Sequence, residues 1–299
     1  MNARRNAALW TVCIVAMACT AQAQSVVAPE AEVVKLAGDF RFTEGPAADA
    51  QGNIFFTDIP NNRILKWSLD GVLSVSRENS GGANGLYFDK DGNLLACEGG
   101  GRRLVSIASN GTLSVLADRY EGATFNSLND LWIDPQGGVY FTDPRYGNRD
   151  NLPQDGEHAY YLTPDHQKII RVVDDMVRPN GLIGTPDGKR LYVTDNGGRK
   201  TFAYTINADG TLSNKTLFCS EGADGMTIDS EGNVYLTTNV VAIFNPKGEK
   251  IEEIVVPERP ANVTFGAADR KTLFVTARTS LYSVAMRVTG AETPVWKPR

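Results

Sequence analysis

The chain has 299 residues, 22% of them charged, and a formal net charge of −5 at neutral pH. This length permits one or two domains of ordinary size, or a single large all-β unit. The mild acidity, together with the absence of any run of Lys or Arg, argues against a nucleic-acid-binding surface.

The first 23 residues have the pattern of a secretory signal peptide. Arg4 and Arg5 form a positive start, and residues 7–18 form an apolar core that is too short to span a bilayer. Residues 21–23 (Ala-Gln-Ala) form a small-x-small cleavage site, so we predict cleavage before Gln24 and export to the periplasm or the exterior. Loss of the two arginines changes the formal charge from −5 to −7, and no membrane span is predicted in the rest of the chain.

The cysteines predict neither a lipid anchor nor a disulfide in the exported chain. Cys19 follows a poor lipobox, so a lipid anchor there is not expected. Only Cys97 and Cys219 remain after cleavage, and they lie in different repeats of the chain. We expect their separation to exceed the Cα spacing of about 6 Å that a disulfide needs, so the fold must be stable without one.

Residues 32–37 form a short β-rich segment that has no hairpin partner of its own. A β-hairpin pattern then recurs six times along the chain. Each copy has an alternating strand, a polar turn and a second β-rich run, as in residues 224–238. The turns align on one position, which lies 38 to 51 residues from the next copy and is occupied by Gly52, Gly92, Gly137, Gly188, Gly232 and, in a degraded sixth copy, Arg270.

A repeat of this length is typical of one four-stranded propeller blade. A second pair of strands follows each hairpin around turns such as Asp70-Gly71. We therefore predict an all-β, six-bladed β-propeller with four antiparallel strands per blade, formed as a single domain by residues 24–299. The last blade lacks one strand, and we expect residues 32–37 to supply it and close the ring.

The position eight residues before each aligned turn position always carries a side-chain oxygen. The six residues are Glu44, Asn84, Asn129, Asn180, Asp224 and Asn262. Because the first strand of every blade lines the channel, these oxygens should converge near the axis. Two carboxylates with several amides suit a hard divalent cation such as Ca²⁺ better than a metal that prefers Cys or His.

The alternative is that Asn or Asp before Gly simply turns the chain into the inner strand, as in propellers without a metal. That explanation is weak for Glu44, because Glu is a poor turn residue and Pro46 already rigidifies the segment. A buried carboxylate needs a partner, and no Lys or Arg is adjacent to Glu44 in the sequence.

Five segments together resemble the gluconolactonase and regucalcin (senescence marker protein) family. They span nearly all of the chain after residue 23 and are residues 42–46, 126–131, 141–147, 178–182 and 224–226. The resemblance implies that Glu44, Asn180 and Asp224 bind a divalent metal, usually Ca²⁺, with Zn²⁺, Mn²⁺ and Mg²⁺ as other possibilities. It implies that Asn129 lies beside the metal and contacts metal or substrate.

The family reaction is hydrolysis of sugar lactones and related lactones. The resemblance therefore implies a small-molecule lactone as substrate, the metal as Lewis acid, and Asp224 as the general base on the attacking water. Two other functions remain open: hydrolysis of other esters or phosphotriesters at the same site, and a non-catalytic propeller that binds protein or carbohydrate on its rim. The oligomeric state is not predicted.

The chain departs from the family at two positions. Gly99 stands where members of this subgroup have His, and Ser127 stands where regucalcin-like members have Arg. Substrate contacts could instead come from Glu98, Arg102, Arg145 or Tyr146, although a structural role for each is an equal alternative. The last two belong to the longest inter-repeat segment, residues 144–156, which we expect to lie over one mouth of the ring.

Two further sets of residues have a predicted role. The carboxylates at second-strand ends, Asp58, Glu98, Asp143 and Asp195, are expected to tie neighbouring blades through backbone hydrogen bonds. The only histidines, His158 and His166, both lie in the third repeat. A Ser-His triad or a histidine metal site is hard to build from them, which favours a carboxylate as the general base.

Overall fold

The computed structural model describes residues 24–291, so the predicted signal peptide lies outside the described residues. The described chain forms six sheets of four antiparallel strands, arranged as a β-propeller, which confirms the predicted fold. A two-stranded ribbon and one short 3₁₀ turn, Ile59–Asn61, are the additions. Within residues 24–291, no helix has the length and apolar character needed to cross a membrane.

The strands follow the repeat. β1 (Val34–Ala37) comes first; blade one then contains β2 (Thr43–Ala48), β3 (Ile54–Asp58), β4 (Arg63–Trp67) and β5 (Leu73–Glu78). Blade two contains β6 (Ala83–Phe88), β7 (Leu94–Glu98), β8 (Arg103–Ile107) and β9 (Leu113–Ala117). The ribbon β10 (Arg119–Tyr120) and β11 (Ala123–Thr124) precedes blade three, which has β12 (Leu131–Ile133), β13 (Val139–Asp143), β14 (His158–Leu162) and β15 (Ile169–Val173).

Blade four contains β16 (Pro179–Gly184), β17 (Arg190–Asp195), β18 (Lys200–Ile206) and β19 (Leu212–Cys219). Blade five contains β20 (Met226–Ile228), β21 (Val234–Thr237), β22 (Val241–Phe244) and β23 (Lys250–Ile254). Blade six contains β24 (Pro260–Gly266), β25 (Thr272–Ala277) and β26 (Ser280–Ala285).

The missing strand of blade six is β1, as predicted. β1 pairs antiparallel with β26, with Lys35 opposite Tyr282, and the sheet order is β1-β26-β25-β24. The preceding residues extend this contact through an isolated bridge between Val27 and Met286. The two ends of the described chain are thereby joined in one sheet, and β26 has no free edge.

The repeated inner turn has a local cause. In blade one, Asp49 Oδ1 accepts hydrogen bonds from the backbone N–H of Gln51 (3.0 Å) and Asn53 (2.9 Å). Gly52 takes a positive φ of 95°, a conformation that Gly adopts without steric cost. The same bonds recur at Asp89 and Asp229, so the aspartate as well as the glycine defines the turn.

The blades pack face to face through large side chains that are fully buried. Trp132 stacks on Tyr140 with ring centroids 5.8 Å apart. Gly184 of the next blade makes room for this indole, because a Cβ there would lie 2.2 Å from it. Cys97 and Cys219 are buried and free, as predicted.

Strand-end residues hold the mouth of the channel in shape. Asp143 accepts hydrogen bonds from the N–H groups of Asn126 (2.8 Å) and Ser127 (2.7 Å), just before the inner strand of its own blade. Asp58 and Asp195 make the equivalent bonds in blades one and four. These carboxylates are therefore structural, but they act within a blade. Threonines join neighbouring blades instead, as where Thr142 Oγ1 donates to Asn180 O at 2.8 Å.

Candidate metal centre and channel mouth

The ring of polar residues forms where the inner strands begin. Asn180 Nδ2 donates a hydrogen bond to Asp224 Oδ1 at 2.7 Å, which joins blades four and five. Glu44 and Asn180 are buried, with 3% and 1% of their surface exposed, whereas Asp224 is partly buried. Glu44 lies near enough to Asp224 and Asn262 for both to affect its pKa. Residues of the first, fourth, fifth and sixth repeats thus meet at one mouth.

The glycine that follows four of the ring residues is required by the close approach of neighbouring inner strands. A Cβ on Gly45 would lie 2.0 Å from Asn84 O, and one on Gly181 would lie 2.5 Å from Asp224 O. Gly85 N donates to Asn129 O at 2.7 Å, which shows how tightly the backbones meet. These glycines are therefore needed mainly for the close contact between strands and less for turning the chain. Gly45 has a positive φ of 44°, but the φ of Gly181 lies outside the left-handed region.

The electrostatics of the ring are unfavourable without a cation. Burial raises the pKa of Glu44 well above its ordinary value, and the charges of Asp224 and Asp130 raise it further. The N–H of Gly45, which donates to Glu44 Oε2 at 2.9 Å, opposes that shift. Burial also raises the pKa of Asp224, although the Asn180 hydrogen bond and two nearby arginines act against it.

The donors fit a hard divalent cation. Within residues 24–291 neither Glu44 nor Asp224 forms an ion pair with a basic side chain, and Arg259 and Arg278 act on Asp224 only from beyond ion-pair distance. Residues 24–291 include no cluster of three or more His, Cys, Asp or Glu side chains arranged to hold a metal. Amide oxygens, such as Asn180 Oδ1, would have to complete the coordination, as oxygen-preferring cations allow.

The pocket that reaches this ring has a mixed lining. Leu86, Leu131, Ile183, Met226 and Val263 line it together with Asp130, Asn262, Thr264 and Arg270. Polar side chains therefore occur along this pocket as well as in the ring.

Tyr146 reaches the ring from the predicted mouth segment. Its hydroxyl oxygen lies 2.5 Å from Asn180 Nδ2, which donates to it. The guanidinium of Arg178 lies 5.0 Å from the centre of its ring. Tyr146 is nevertheless 45% exposed, so it is available to a ligand in the mouth.

Three other candidate substrate contacts are placed differently. Glu98 is 1% exposed and pairs with Arg103 Nε at 2.5 Å, a contact within blade two. Arg145 donates to the backbone carbonyls of Asn126 (2.7 Å) and Asn148 (3.0 Å). Arg145 therefore holds the backbone around the mouth, whereas Glu98 is engaged by a side chain of its own blade. Asn129, in contrast, lies on the ring and is 7% exposed.

Three charged residues of the site were not predicted. Asp130 is buried next to Asn129, accepts a hydrogen bond from Leu131 N at 2.9 Å, and raises the pKa of Glu44. Arg259 and Arg278 lie near enough to Asp224 for their charges to oppose the rise that burial causes in its pKa. The sequence contained an indication of Arg259, because the pair Arg259-Pro260 precedes the inner strand of blade six in the same way that Arg178-Pro179 precedes that of blade four.

Several known proteins are similar to this chain in sequence or in structure. A gluconolactonase from Zymomonas mobilis is 31% identical over 291 residues, which cover 85% of this chain and 81% of the relative. The solved structure of a gluconolactonase from Xanthomonas campestris superposes with a TM-score of 0.82 at 28% identity, over 87% of this chain and 91% of that one. The calcium-binding protein regucalcin from Agrobacterium tumefaciens shares the fold, with a TM-score of 0.75 at 20% identity, over 89% of this chain and 97% of that one.

The match extends to a defined family. Residues 42–279 match the sequence pattern of the SMP-30/Gluconolactonase/LRE-like region, an interval that begins just before Glu44 and ends just after Arg278. All six polar ring positions lie inside it. The chain is therefore a member of the SMP-30/gluconolactonase/LRE-like family.

Proposed function

We propose that the protein is a divalent-metal-dependent hydrolase that opens a sugar lactone or a related lactone, with Ca²⁺ as the preferred ion. The observation that carries the proposal is the pair of carboxylates, Glu44 and Asp224, which lie at one mouth and form no ion pair with a basic side chain in the described chain. Family membership and the gluconolactonase relatives support a lactone as the substrate. The calcium-binding neighbour supports the choice of ion.

Glu44, Asn180, Asp224 and Asn129 are the residues that would hold the cation. A bound cation supplies Lewis-acid polarisation of the lactone carbonyl. Glu44 is suited to a purely electrostatic role, because its buried carboxylate is fixed by the Gly45 N–H. Zn²⁺, Mn²⁺ and Mg²⁺ are the alternatives to test, since the oxygen donors do not by themselves choose among them.

Asp224 is the proposed general base. Its Oδ1 accepts the Asn180 hydrogen bond, which leaves Oδ2 to accept a proton from a water that attacks the carbonyl carbon. The same carboxyl can return that proton to the ring oxygen when the acyl C–O bond breaks, which gives the hydroxy acid. Burial raises the pKa of Asp224, and the Asn180 hydrogen bond together with the charges of Arg259 and Arg278 limits that rise. Neither histidine competes for this role: His158 Nε2 is engaged by Asp155 (2.9 Å) and Arg171 (3.1 Å), and His166 lies in a distant exposed turn at positive φ.

The proposal is tested by hydrolysis of a panel of compounds by the purified protein from residue 24 onward. The panel contains D-glucono-1,5-lactone, other sugar and aliphatic lactones, an aryl ester and a phosphotriester, each corrected for spontaneous hydrolysis. We expect lactone hydrolysis that EDTA abolishes and Ca²⁺ restores, and a loss of at least about 10²-fold in Asp224→Ala. Asp70→Ala, at an exposed hairpin turn, is the matched control and should retain full activity.

Other results would identify a different function. Preference for the aryl ester or the phosphotriester would assign the same residues to that chemistry. A second outcome is that no compound is turned over and that Glu44→Gln and Asp224→Asn fold as stably as wild type. This result would favour a non-catalytic propeller that binds a protein or carbohydrate partner.

We also propose that the protein is exported after removal of residues 1–23. The sequence pattern of that segment supports this, and N-terminal sequencing of the protein recovered from the producing cell's periplasm or medium is the test. A mature chain that starts at Gln24 is the expected result, and retention of Arg4 and Arg5 would refute it.

A further inference from the structure

The segment between β13 and β14 of blade three brings one phenol group to the mouth. Tyr146 follows Arg145, whose guanidinium is bonded to the carbonyls of Asn126 and Asn148. Farther along the segment, Gln154 Nε2 donates to the carbonyls of Ala123 (3.1 Å) and Thr124 (3.0 Å). Both ends of the segment are thus fastened to the chain that enters blade three, so the backbone at Tyr146 has a defined position.

The ring of Tyr146 is also fixed. Arg178 lies over it at 5.0 Å, and Arg178 Nε is itself paired with Glu157 Oε2 at 3.3 Å. Arg149 pairs with the other oxygen of the same buried carboxylate. Because Glu157 holds the guanidinium in place, the tyrosine ring packs against a surface that cannot easily move away.

The hydroxyl hydrogen of Tyr146 is not donated to any residue in the described part of the chain. Asn180 Nδ2 carries two hydrogens; one is donated to Asp224 Oδ1 (2.7 Å) and the other to the oxygen of Tyr146 (2.5 Å). The phenol is therefore the acceptor in its bond with Asn180. Its own hydrogen is left to point toward a ligand in the mouth.

A phenol carries its hydrogen at neutral pH, so Tyr146 can donate a hydrogen bond as a neutral group. For the same reason it is unsuited to act as a base or nucleophile.

We propose that Tyr146 is a further catalytic residue, whose hydroxyl donates a hydrogen bond to the lactone carbonyl oxygen as negative charge develops there. This inference rests on the proposed lactonase function. The phenol and the Asp224 carboxylate lie on either side of the same Asn180 amide, so a donor and a base can face one carbonyl group. The tyrosine forms no covalent bond and gives up no proton; it stabilises charge on an oxygen that water addition creates.

The test compares wild type with Tyr146→Phe, which keeps the ring and its contact with Arg178 but removes the hydroxyl. We expect kcat to fall about 10²-fold with KM changed less than about threefold, because the lost bond is strongest in the transition state. Ca²⁺ affinity, measured by calorimetry, should stay within about twofold of wild type. Affinity for a cyclic sugar phosphonate, whose tetrahedral anionic oxygens resemble the addition intermediate, should fall by at least about tenfold.

The matched control is Tyr161→Phe, which also removes a tyrosine hydroxyl from blade three. That hydroxyl donates to Asp134 Oδ2 at 2.8 Å, at the turn beyond the inner strand and at the opposite end of the channel. We expect this variant to lose thermal stability and to keep kcat, KM and phosphonate affinity.

The possible failures are distinguishable. If wild type hydrolyses no lactone, the proposed function is wrong, and the role of Tyr146 falls with it. If wild type is active but Tyr146→Phe keeps kcat within about threefold, only the role of Tyr146 is wrong. A fall in Ca²⁺ affinity of tenfold or more would also overturn this inference, because it would show that Tyr146 acts through Asn180 and positions that amide.

Discussion

Two buried glutamates should respond in opposite directions to the same substitution. Glu44 (3% exposed) faces the carboxylates of Asp224 and Asp130, whereas Glu98 (1% exposed) faces the guanidinium of Arg103 at 2.5 Å. Replacement by Gln keeps the shape and removes the charge. In metal-free protein, Glu44→Gln therefore relieves repulsion, while Glu98→Gln leaves the partly exposed Arg103 guanidinium without its partner.

The magnitudes follow from these surroundings. An uncompensated buried polar group costs about 1–3 kcal/mol in proteins, so we expect Glu44→Gln to stabilise the metal-free fold by about 1–2 kcal/mol. Loss of one partner from a fully buried ion pair costs about 3–5 kcal/mol. Because the Arg103 side chain is 37% exposed, we expect about 2–3 kcal/mol for Glu98→Gln. At about 2–4 °C per kcal/mol, Tm should rise by about 2–8 °C in the first variant and fall by about 4–12 °C in the second.

The assay is thermal unfolding in EDTA and in saturating Ca²⁺. At a Ca²⁺ concentration of about 100 Kd, wild type should gain about 2.7 kcal/mol, and so should Glu98→Gln. Glu44→Gln should lose most of that gain, because it lacks one of the two carboxylates. Destabilisation of Glu44→Gln in EDTA, or an undiminished Ca²⁺ effect in this variant, would refute the assignment of Glu44 to a cation site.

Three further predictions concern the fold around the site. Desolvation acts to raise the pKa of Glu258, but hydrogen bonds from Ser280, Thr279 and Tyr282 outweigh it and lower the pKa from 4.5 to about 2. Its contribution to stability, about 1–2 kcal/mol after allowance for solvent screening, should be present above pH 4.5 and lost as the pH falls toward 2. Urea unfolding of Glu258→Gln should show a reduced dependence on pH over that interval, and an unchanged pH dependence would contradict it. A chain that starts at residue 38 lacks β1 and exposes the edge of β26. It should therefore aggregate, or unfold at least about 10 °C below the chain that starts at residue 24. Equal Tm values would show that β1 does not close the ring. Gly181→Ala places a Cβ 2.5 Å from Asp224 O. We therefore expect the free energy of unfolding, measured by chemical denaturation, to fall by about 1–3 kcal/mol and Ca²⁺ binding to weaken. Wild-type values for both would argue against the tight contact of blades four and five.

The repeat made the architecture predictable from the sequence. Turns such as Asp49 to Asn53 are formed by bonds between residues at most four positions apart, so their spacing along the chain marks each blade. The strand at residues 34–37 was also predictable, because the last blade was one strand short. Once the blades were aligned, Glu44, Asn180 and Asp224 fell at one level of the channel without any knowledge of distances.

What the sequence alone did not determine was which partner each charged group would have. Glu44 and Glu98 are both buried glutamates, yet the first faces carboxylates across the channel and the second faces an arginine of its own hairpin. The charges of Asp130 and Arg278 reach the site only because the closed ring brings the third and sixth repeats next to the first and fifth. Hydrogen bonds within a turn are local and leave a periodic pattern, whereas contacts between blades depend on how closely the inner strands approach. Tertiary structure therefore decided the electrostatics of the mouth, and the sequence decided the scaffold that carries it.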